Sequence, residues 1–471
     1  MDTLFTIVSV LMSSALFVGI VIATINFILG KNVLAKHAPV ENNSEITDEN
    51  ETNRFGNAQN DEIIDKAEYV KPATLGERKL FGIPLKTALV VLGTAVASRL
   101  ITYIIAAIVS ETYLFSETFF VRWDANHYLN LAKLGYSGYT ESCSCGTDAP
   151  IFLVFFPLYP LLVKLFSLIT FGNYYAAALI ISNTAFVAAA VFLYKLTEKL
   201  FNKSIAVTAV ILLSFAPFSL FFSAPFTESV FLLCTTACAY FAHENKMLAS
   251  SIFGFFAALS RMVGVLTVIV IFTFKAAHVL SNNKFDSKKQ TVGALLKILP
   301  YLFPVIVGTC IYLIINLTVA GNAFAFTFYQ SNHWSNHFET VFYSLKLQWT
   351  QLASRLNSYS INGEDIDLNV ALGVHLNNII AFIVSTVTLF ILALKNDRKQ
   401  IALALFLGIT AVINFSISWL LSGARYTFAM FPVYIAFASL TKNRYAKALT
   451  VAACFVLFIS SIILFDFGQV Y

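Results

Sequence analysis

Uninterrupted apolar runs recur along almost the whole chain, and they limit the fold more than any motif does. A run of about 18 residues or more covers roughly 30 Å of hydrocarbon as an α-helix. Lipid offers no partner for backbone N–H and C=O groups, so a spanning segment must be a helix or part of a closed barrel. The runs are continuous rather than alternating apolar and polar residues, which selects helices. Composition agrees: 58% of the 471 residues are hydrophobic and 12% are charged, with a mean hydropathy of +0.74, outside the usual range of soluble domains. The sequence therefore predicts an all-α polytopic membrane protein.

About twelve spans are expected, near residues 4–29, 87–109, 175–194, 205–222, 227–242, 247–260, 262–279, 298–319, 376–394, 400–421, 426–440 and 447–466. The first is too long, and too poor in N-terminal charge, for an ordinary signal peptide, so residues 1–30 read as an extra N-terminal transmembrane helix. Residues 31–86, with ENNSEITDENETNRFGNAQNDEIID at their centre, read as a cytoplasmic, largely disordered acidic linker. Residues 87–471 form the main membrane domain. If 31–86, 195–203, 243–246, 275–297, 395–399 and 441–447 face the cytoplasm, they hold 23 of the 31 Lys and Arg residues, the bias that cytoplasmic loops carry. The net charge of +5 then reflects membrane orientation, and no nucleic-acid surface is expected.

Two extracytoplasmic loops follow, 110–174 and 320–375. The first contains FFPLYPLLVKLFSLITFG (155–172), where Pro157 and Pro160 argue for a juxtamembrane or re-entrant segment instead of a full span. The second is rich in aromatic and polar residues, among them Phe326, His333, Trp334, His337 and Trp349. Cys234, Cys238, Cys310 and Cys454 lie in apolar runs as small packing residues. Cys143 and Cys145 form a C-x-C in a polar loop, a weak sign of a metal or a disulfide.

The chemistry must come from the few charges in this apolar background. FFVRWDANHYLNLAKLGY (119–136) gathers Arg122, Trp123, Asp124 and His127 at the expected membrane surface. Tyr128, Leu131 and Ala132 share one helical face, so YLNLAKLGY reads as an amphipathic helix whose apolar side touches the membrane. Asp124 falls in its first turn, where the helix dipole favours a carboxylate. It reads either as a cap, with Trp123 as an interfacial anchor, or as a general base at a cavity mouth. His127, three residues on, would hold an acceptor or tune that acid, or is a plain polar residue. Glu228 in LFFSAPFTESVFLL, Arg261 in FFAALSRMVGVL, Arg425 in WLLSGARYTFAMFP and the deeper Arg99 interrupt spans. Such charges face partners or a water-filled cavity. Glu228 and Arg261 read as a structural pair or as part of a phosphate site, with Arg425, beside Tyr426, the preferred phosphate ligand because a planar guanidinium suits an anionic headgroup. No nucleotide-phosphate loop, pair of metal carboxylates or H-E-x-x-H element is present. A sugar donor would therefore be carried on a lipid.

RWDANHYLNLAKLGY, FFPLYPLL, FFSAPFTESVFLL and AALSRMVGVL occur in the order found in the PIG-V-like mannosyltransferases, relatives of GPI mannosyltransferase 2 within the GT-C membrane glycosyltransferases. The chain resembles them over roughly 87–275, and more loosely to GARYTFAMFPVYIAF. The resemblance implies a GT-C-like bundle of about twelve transmembrane helices with extracytoplasmic juxtamembrane helices, and it makes 87–471 the catalytic domain. It further implies an inverting hexosyltransferase that uses a polyprenyl- or dolichyl-phosphate-mannose donor and needs no metal or other cofactor. The acceptor would be an extracytoplasmic or lumenal glycan, glycolipid or protein. Asp124 matches the family's first-loop aspartate, Glu228 and Ser229 its Glu–Ser element, and Arg261 its helix arginine. The leading span and acidic linker are additions to the usual core, and FFPLYP with HYLNLAKLGY is closer to prokaryotic members. A plasma-membrane location follows, or the endoplasmic reticulum otherwise. The rival reading from another class is a lipid-linked saccharide flippase or transporter; an inverted repeat would favour it, and none is evident in the two halves. A non-catalytic subunit that binds a partner transferase is a further alternative.

Overall fold

The computed structural model describes residues 2–34, 78–142, 148–282, 285–363, 365–441 and 443–468. Cys143, Cys145 and the acidic centre of the linker lie outside the described residues. Helices occupy all twelve positions expected to span, but among the described residues only seven are long and apolar enough to cross a membrane: Thr3–Leu29, Leu85–Val109, Tyr174–Leu200, Met262–Asn282, Phe303–Ala320, Asp365–Ala393 and Arg444–Asp466. The other five, Lys203–Ser214, Glu228–His243, Met247–Ser260, Arg398–Asn414 and Phe431–Leu440, have 10 to 17 residues. Hydropathy reads straight through their ends. The chain leaves the helix at 215–227, which carries Pro217 and Pro225, at Arg261, and at 415–422. By the charge-derived orientation, all these breaks lie at the extracytoplasmic end.

Irregular backbone at membrane depth must be satisfied by protein. Arg99, buried in Leu85–Val109, donates to Ser214 O at 2.9 Å, Ser219 O at 2.5 Å and Ser223 Oγ at 3.1 Å. Tyr103 OH donates to Ser223 O and Ser229 Oγ to Phe222 O. The segment before Arg425 is held from the other side. Gln348 Nε2 and Asn378 Nδ2 donate to Leu420 O at 3.1 and 2.8 Å, and Asn378 Oδ1 accepts from Ala424 N at 3.2 Å. Asn378 follows a π-helical turn, Ala371–Leu376, a feature frequent at functional sites.

The N-terminal helix is packed into this body. An added Cβ on Gly19 would lie 2.7 Å from Leu389, and one on Gly408 would lie 2.8 Å from Ile20, so both glycines allow close helix approach. Arg398 Nε donates to Phe27 O at 2.9 Å, satisfying a terminal carbonyl of that helix.

The amphipathic segment, Asp124–Gly138, is helical from Asp124 as its periodicity requires, and it breaks at Gly135, whose φ is 72°. Its apolar face does not touch the membrane: Ala125, Leu131 and Ala132 are fully covered by protein, and the helix packs on Leu158–Ser167. That ten-residue helix starts beside Pro157 and is about 15 Å long, too short to span. The second loop also contains helix, Ala325–Asn332 and Val341–Asn362, and the span after it begins near Asp365, earlier than the 376 expected.

Arg99→Met keeps the side chain's length but removes the guanidinium donors from the Ser214 and Ser219 carbonyls, leaving Ser214 O with the Ser219 hydroxyl. We expect it to lower stability by at least about 2 kcal/mol, read as a fall in thermal unfolding midpoint in detergent; an unchanged midpoint would show that the broken segment holds itself.

Candidate functional site

Four charged groups from distant parts of the chain meet in a row. Glu228, in the first turn of its helix and 1% exposed, accepts from Arg261 Nη1 at 2.5 Å through Oε1. Arg425 Nε lies 2.6 Å from the same oxygen, as a charge contact without hydrogen-bond alignment. Arg425 Nη2 donates to Asp124 Oδ2 at 2.8 Å. Arg261, Glu228, Arg425 and Asp124 thus alternate in sign and sum to zero. Thr227 Oγ1 also accepts from Arg261 at 3.2 Å.

The two guanidiniums differ in setting. Arg425 is buried, with its carbon 5.2 and 5.0 Å from the rings of Phe221 and Phe226. Arg261 is part-exposed and lies 4.7 Å from the ring of Tyr426. An added Cβ on Gly264 would lie 1.8 Å from Ala257 O, so only glycine lets the 3₁₀ turn Met262–Leu266 fold back and leave Arg261 at the bend. Asp124 is about one-third exposed.

Asp124, Tyr128, Arg261, Arg425 and Tyr426 line one cavity of about 430 Å³. Its outer wall comes from the 320–375 loop, with Trp334 and His337, and from the segment before Arg425, with Trp419. Of the residues singled out from sequence, four thus reach the cavity directly and Glu228 stands behind the two arginines. The rest do not reach it. Ser229 is buried on Phe222 O at 2.8 Å. Arg122 donates to Phe465 O at 2.7 Å and Asp466 O at 2.6 Å, a cation on the C-terminal carbonyls of Arg444–Asp466. Trp123 packs edge-on against Phe465, with centroids 5.1 Å apart. Its φ of 49° is unusual for a bulky residue; the contacts of Arg122 and Trp123 to one helix end hold that turn, and the turn sets the start of the Asp124 helix. His127 bonds Tyr139 OH through Nδ1 at 3.0 Å and lies against Phe152, with centroids 4.6 Å apart. Desolvation there lowers its pKa below the ordinary imidazole value, with Asp124 opposing.

Sequence reasoning did not single out Gln348, His375 and Asn378, which hold the Arg425 segment: Gln348 Oε1 bonds His375 Nδ1 at 2.9 Å and accepts from Asn378 at 3.2 Å. For His375 and Asn378 the signal was present as polar residues in ALGVHLNNIIAF, at the head of an apolar run.

A polytopic helical membrane protein with a charged cavity among its helices and loops is the class that this fold and site define. Residues 148–307 match the family described as dolichyl-phosphate-mannose-protein mannosyltransferase. Among curated proteins nothing matches this chain. Among solved structures, the chain is similar to the archaeal oligosaccharyltransferase AglB from Archaeoglobus fulgidus in complex with an inhibitory peptide and a dolichol-phosphate. That match has 15% identity and a TM-score of 0.41, and covers 80% of this chain and 56% of that one. The Archaeoglobus fulgidus oligosaccharyltransferase in complex with Zn and sulfate is similar at 17% identity and a TM-score of 0.43, covering 79% of this chain and 53% of that one. The chain spans a little over half the length of these structures.

Two outcomes are expected from this geometry. Glu228→Gln removes the charge between two guanidiniums and should lower stability by about 3–5 kcal/mol, measured by thermal unfolding in detergent; a loss below about 1 kcal/mol would mean that Asp124 alone suffices as counter-charge. For His127, the unfolded imidazole binds a proton near pH 6.5 while the part-buried ring resists, so its contribution to stability is present above that pH and is lost as pH falls through the depressed folded value. His127→Gln should flatten that part of a midpoint-against-pH profile between about pH 7 and 5; superimposable profiles would refute the desolvation.

Proposed function

We propose that this chain is a membrane glycosyltransferase of the GT-C type. It moves a sugar, mannose by the resemblance, from a polyprenyl- or dolichyl-phosphate carrier to an extracytoplasmic or lumenal acceptor, with inversion at the anomeric carbon. The observation that carries this reading is the Asp124 carboxylate on a cavity wall, gripped through one oxygen by the buried guanidinium of Arg425. The match of residues 148–307 to the dolichyl-phosphate-mannose-protein mannosyltransferases supports the donor class.

In this reaction an acceptor hydroxyl oxygen bonds to the anomeric carbon while the bond from that carbon to the phosphate oxygen breaks. The hydroxyl proton passes to Asp124, and the carrier leaves as its phosphate monoester. Oδ2 of Asp124 is committed to Arg425, which leaves Oδ1 for the proton. Inversion requires the base and the leaving group on opposite faces of the sugar. Arg425 touches Asp124 and so belongs to the base side. Arg261 stands beyond Glu228, reaches the cavity and stacks on Tyr426. Arg261, with the Tyr426 hydroxyl, is therefore the better holder of the donor phosphate, and Arg425 orients Asp124 instead of taking the phosphate role expected from sequence. Positioning and stabilisation of the leaving charge supply most of the rate, and no metal or other cofactor enters the scheme. Residues 87–471 carry the chemistry, with the 110–174 and 320–375 loops over the cavity. The protein would reside in the plasma membrane of a prokaryotic cell, or otherwise in the endoplasmic reticulum.

The test uses purified protein in lipid nanodiscs, radiolabelled polyprenyl-phosphate-mannose, and a membrane extract as acceptor source. Asp124→Asn should lower kcat by about 10²–10⁴-fold with its unfolding midpoint retained, and Arg261→Lys should raise the donor KM. Normal turnover by Asp124→Asn would overturn the base assignment. Donor movement between leaflets without label transfer would replace a transferase with a flippase.

A further inference from the structure

The outer half of the cavity has a construction that the proposed donor chemistry does not use. Phe338 and Ile417 form an isolated antiparallel bridge between the second extracytoplasmic loop and the segment before Arg425. Glu339 N donates to Ser416 O at 3.0 Å, Ser418 N to His337 O at 2.9 Å, and Trp419 N to Asn336 Oδ1 at 3.3 Å. The bridge fixes two large aromatic side chains at the mouth with their faces uncovered: Trp419 is 56% exposed and Phe338 64%. Both line the same cavity as Asp124. A rigid backbone clamp under exposed aromatic rings makes a platform, and such a platform suits a partner with an apolar face.

The polar groups around it narrow the partner further. Gln330, Asn414, Ser422 and the hydroxyl of Tyr128 belong to lining residues whose side chains make no hydrogen bond among the described residues. Amides and hydroxyls both donate and accept, as the hydroxyls of a polyol do. The full charges in the lining, Asp124, Arg261 and Arg425, are balanced with Glu228. No unspent acid or lysine lines the cavity among the described residues.

We propose that this outer half is the acceptor subsite, and that it takes a neutral carbohydrate. One pyranose ring lies with its C–H face on Trp419 and Phe338, and its hydroxyls meet Gln330 and Asn414. The assignment rests on the transferase reading for the word acceptor, but the binding itself does not require transfer.

Binding is therefore measured first without donor, by tryptophan-fluorescence titration of the full chain in nanodiscs. The probes are a neutral hexose trisaccharide, a trisaccharide of uronic acids and a short neutral peptide. The neutral trisaccharide should quench saturably, and Trp419→Ala should weaken its dissociation constant by about tenfold or more, as loss of a central aromatic contact does. With donor added, the same variant should raise the acceptor KM more than it lowers kcat. Equal binding of all three probes, or a neutral-sugar affinity unmoved by Trp419→Ala, would overturn the subsite. So would a variant that loses only thermal stability, which would make Trp419 an interfacial anchor. Trp419-dependent sugar binding without any transfer keeps the subsite and removes the transferase reading; transfer to the peptide without sugar binding does the reverse.

Discussion

One buried carboxylate, Glu228, supplies the counter-charge on which the meeting of three chain segments rests. It opens its own helix, where the dipole favours an anion, and Arg261 closes the neighbouring helix, where the dipole favours a cation. The two antiparallel helices thus bring matching ends to one level. Arg425 arrives from a third segment and could not be buried there beside Arg261 without the acid between them. Because Arg425 also holds Asp124, the position of an exposed group at the cavity wall is set by a charge wholly inside the protein.

The short helices follow from the same requirement. A helix that runs the full membrane thickness satisfies its own backbone and presents only side chains. A helix that stops early turns its end and the following loop toward the cavity, and each stop needs outside partners for the freed N–H and C=O groups. Arg99 and Tyr103 serve that role for 214–223, Ser344 for Ile417, and Gln348 and Asn378 for 420–424. Arg99 was a functional candidate by its position in a span. Its donors are spent on backbone and serine oxygens, so its part is to hold the loop behind Arg425's aromatic cage.

The sequence disclosed the class of fold and the existence of the Glu228–Arg261 contact, because charges in apolar runs have few partners to choose from. It disclosed the 3.6-residue period of the Asp124 helix, but not what covered that helix: protein and lipid present the same apolar demand, and nothing in Leu131 or Ala132 tells them apart. Arg425 and Asp124 are 301 positions apart, and no local pattern links them. His127 and Arg122 stand close to Asp124 in sequence and turn away from the cavity, since packing on Phe152 and capping at Phe465 decide their directions. Twelve helices stand where twelve spans were expected, but only seven of the described helices reach spanning length, because hydropathy averages over the prolines and serines at which the chain actually leaves the helix.

The order of charges bears on the proposed reaction. Arg261, Glu228, Arg425 and Asp124 alternate, so the row is neutral as a whole but positive at one end and negative at the other. As the bond to phosphate breaks, negative charge grows on the leaving phosphate and positive charge on the sugar. A donor lying along the row with its phosphate at Arg261 and its sugar at Asp124 would have both charges grow toward opposite fixed charges. The protein would not need to reorient to meet them, which is the condition under which electrostatic stabilisation is most effective. Reversing the donor would set the leaving phosphate against Asp124. The same row that lets Arg425 be buried beside a part-exposed Arg261 would therefore also favour one direction of donor approach in the proposed reaction, with the phosphate at Arg261 and the sugar at Asp124.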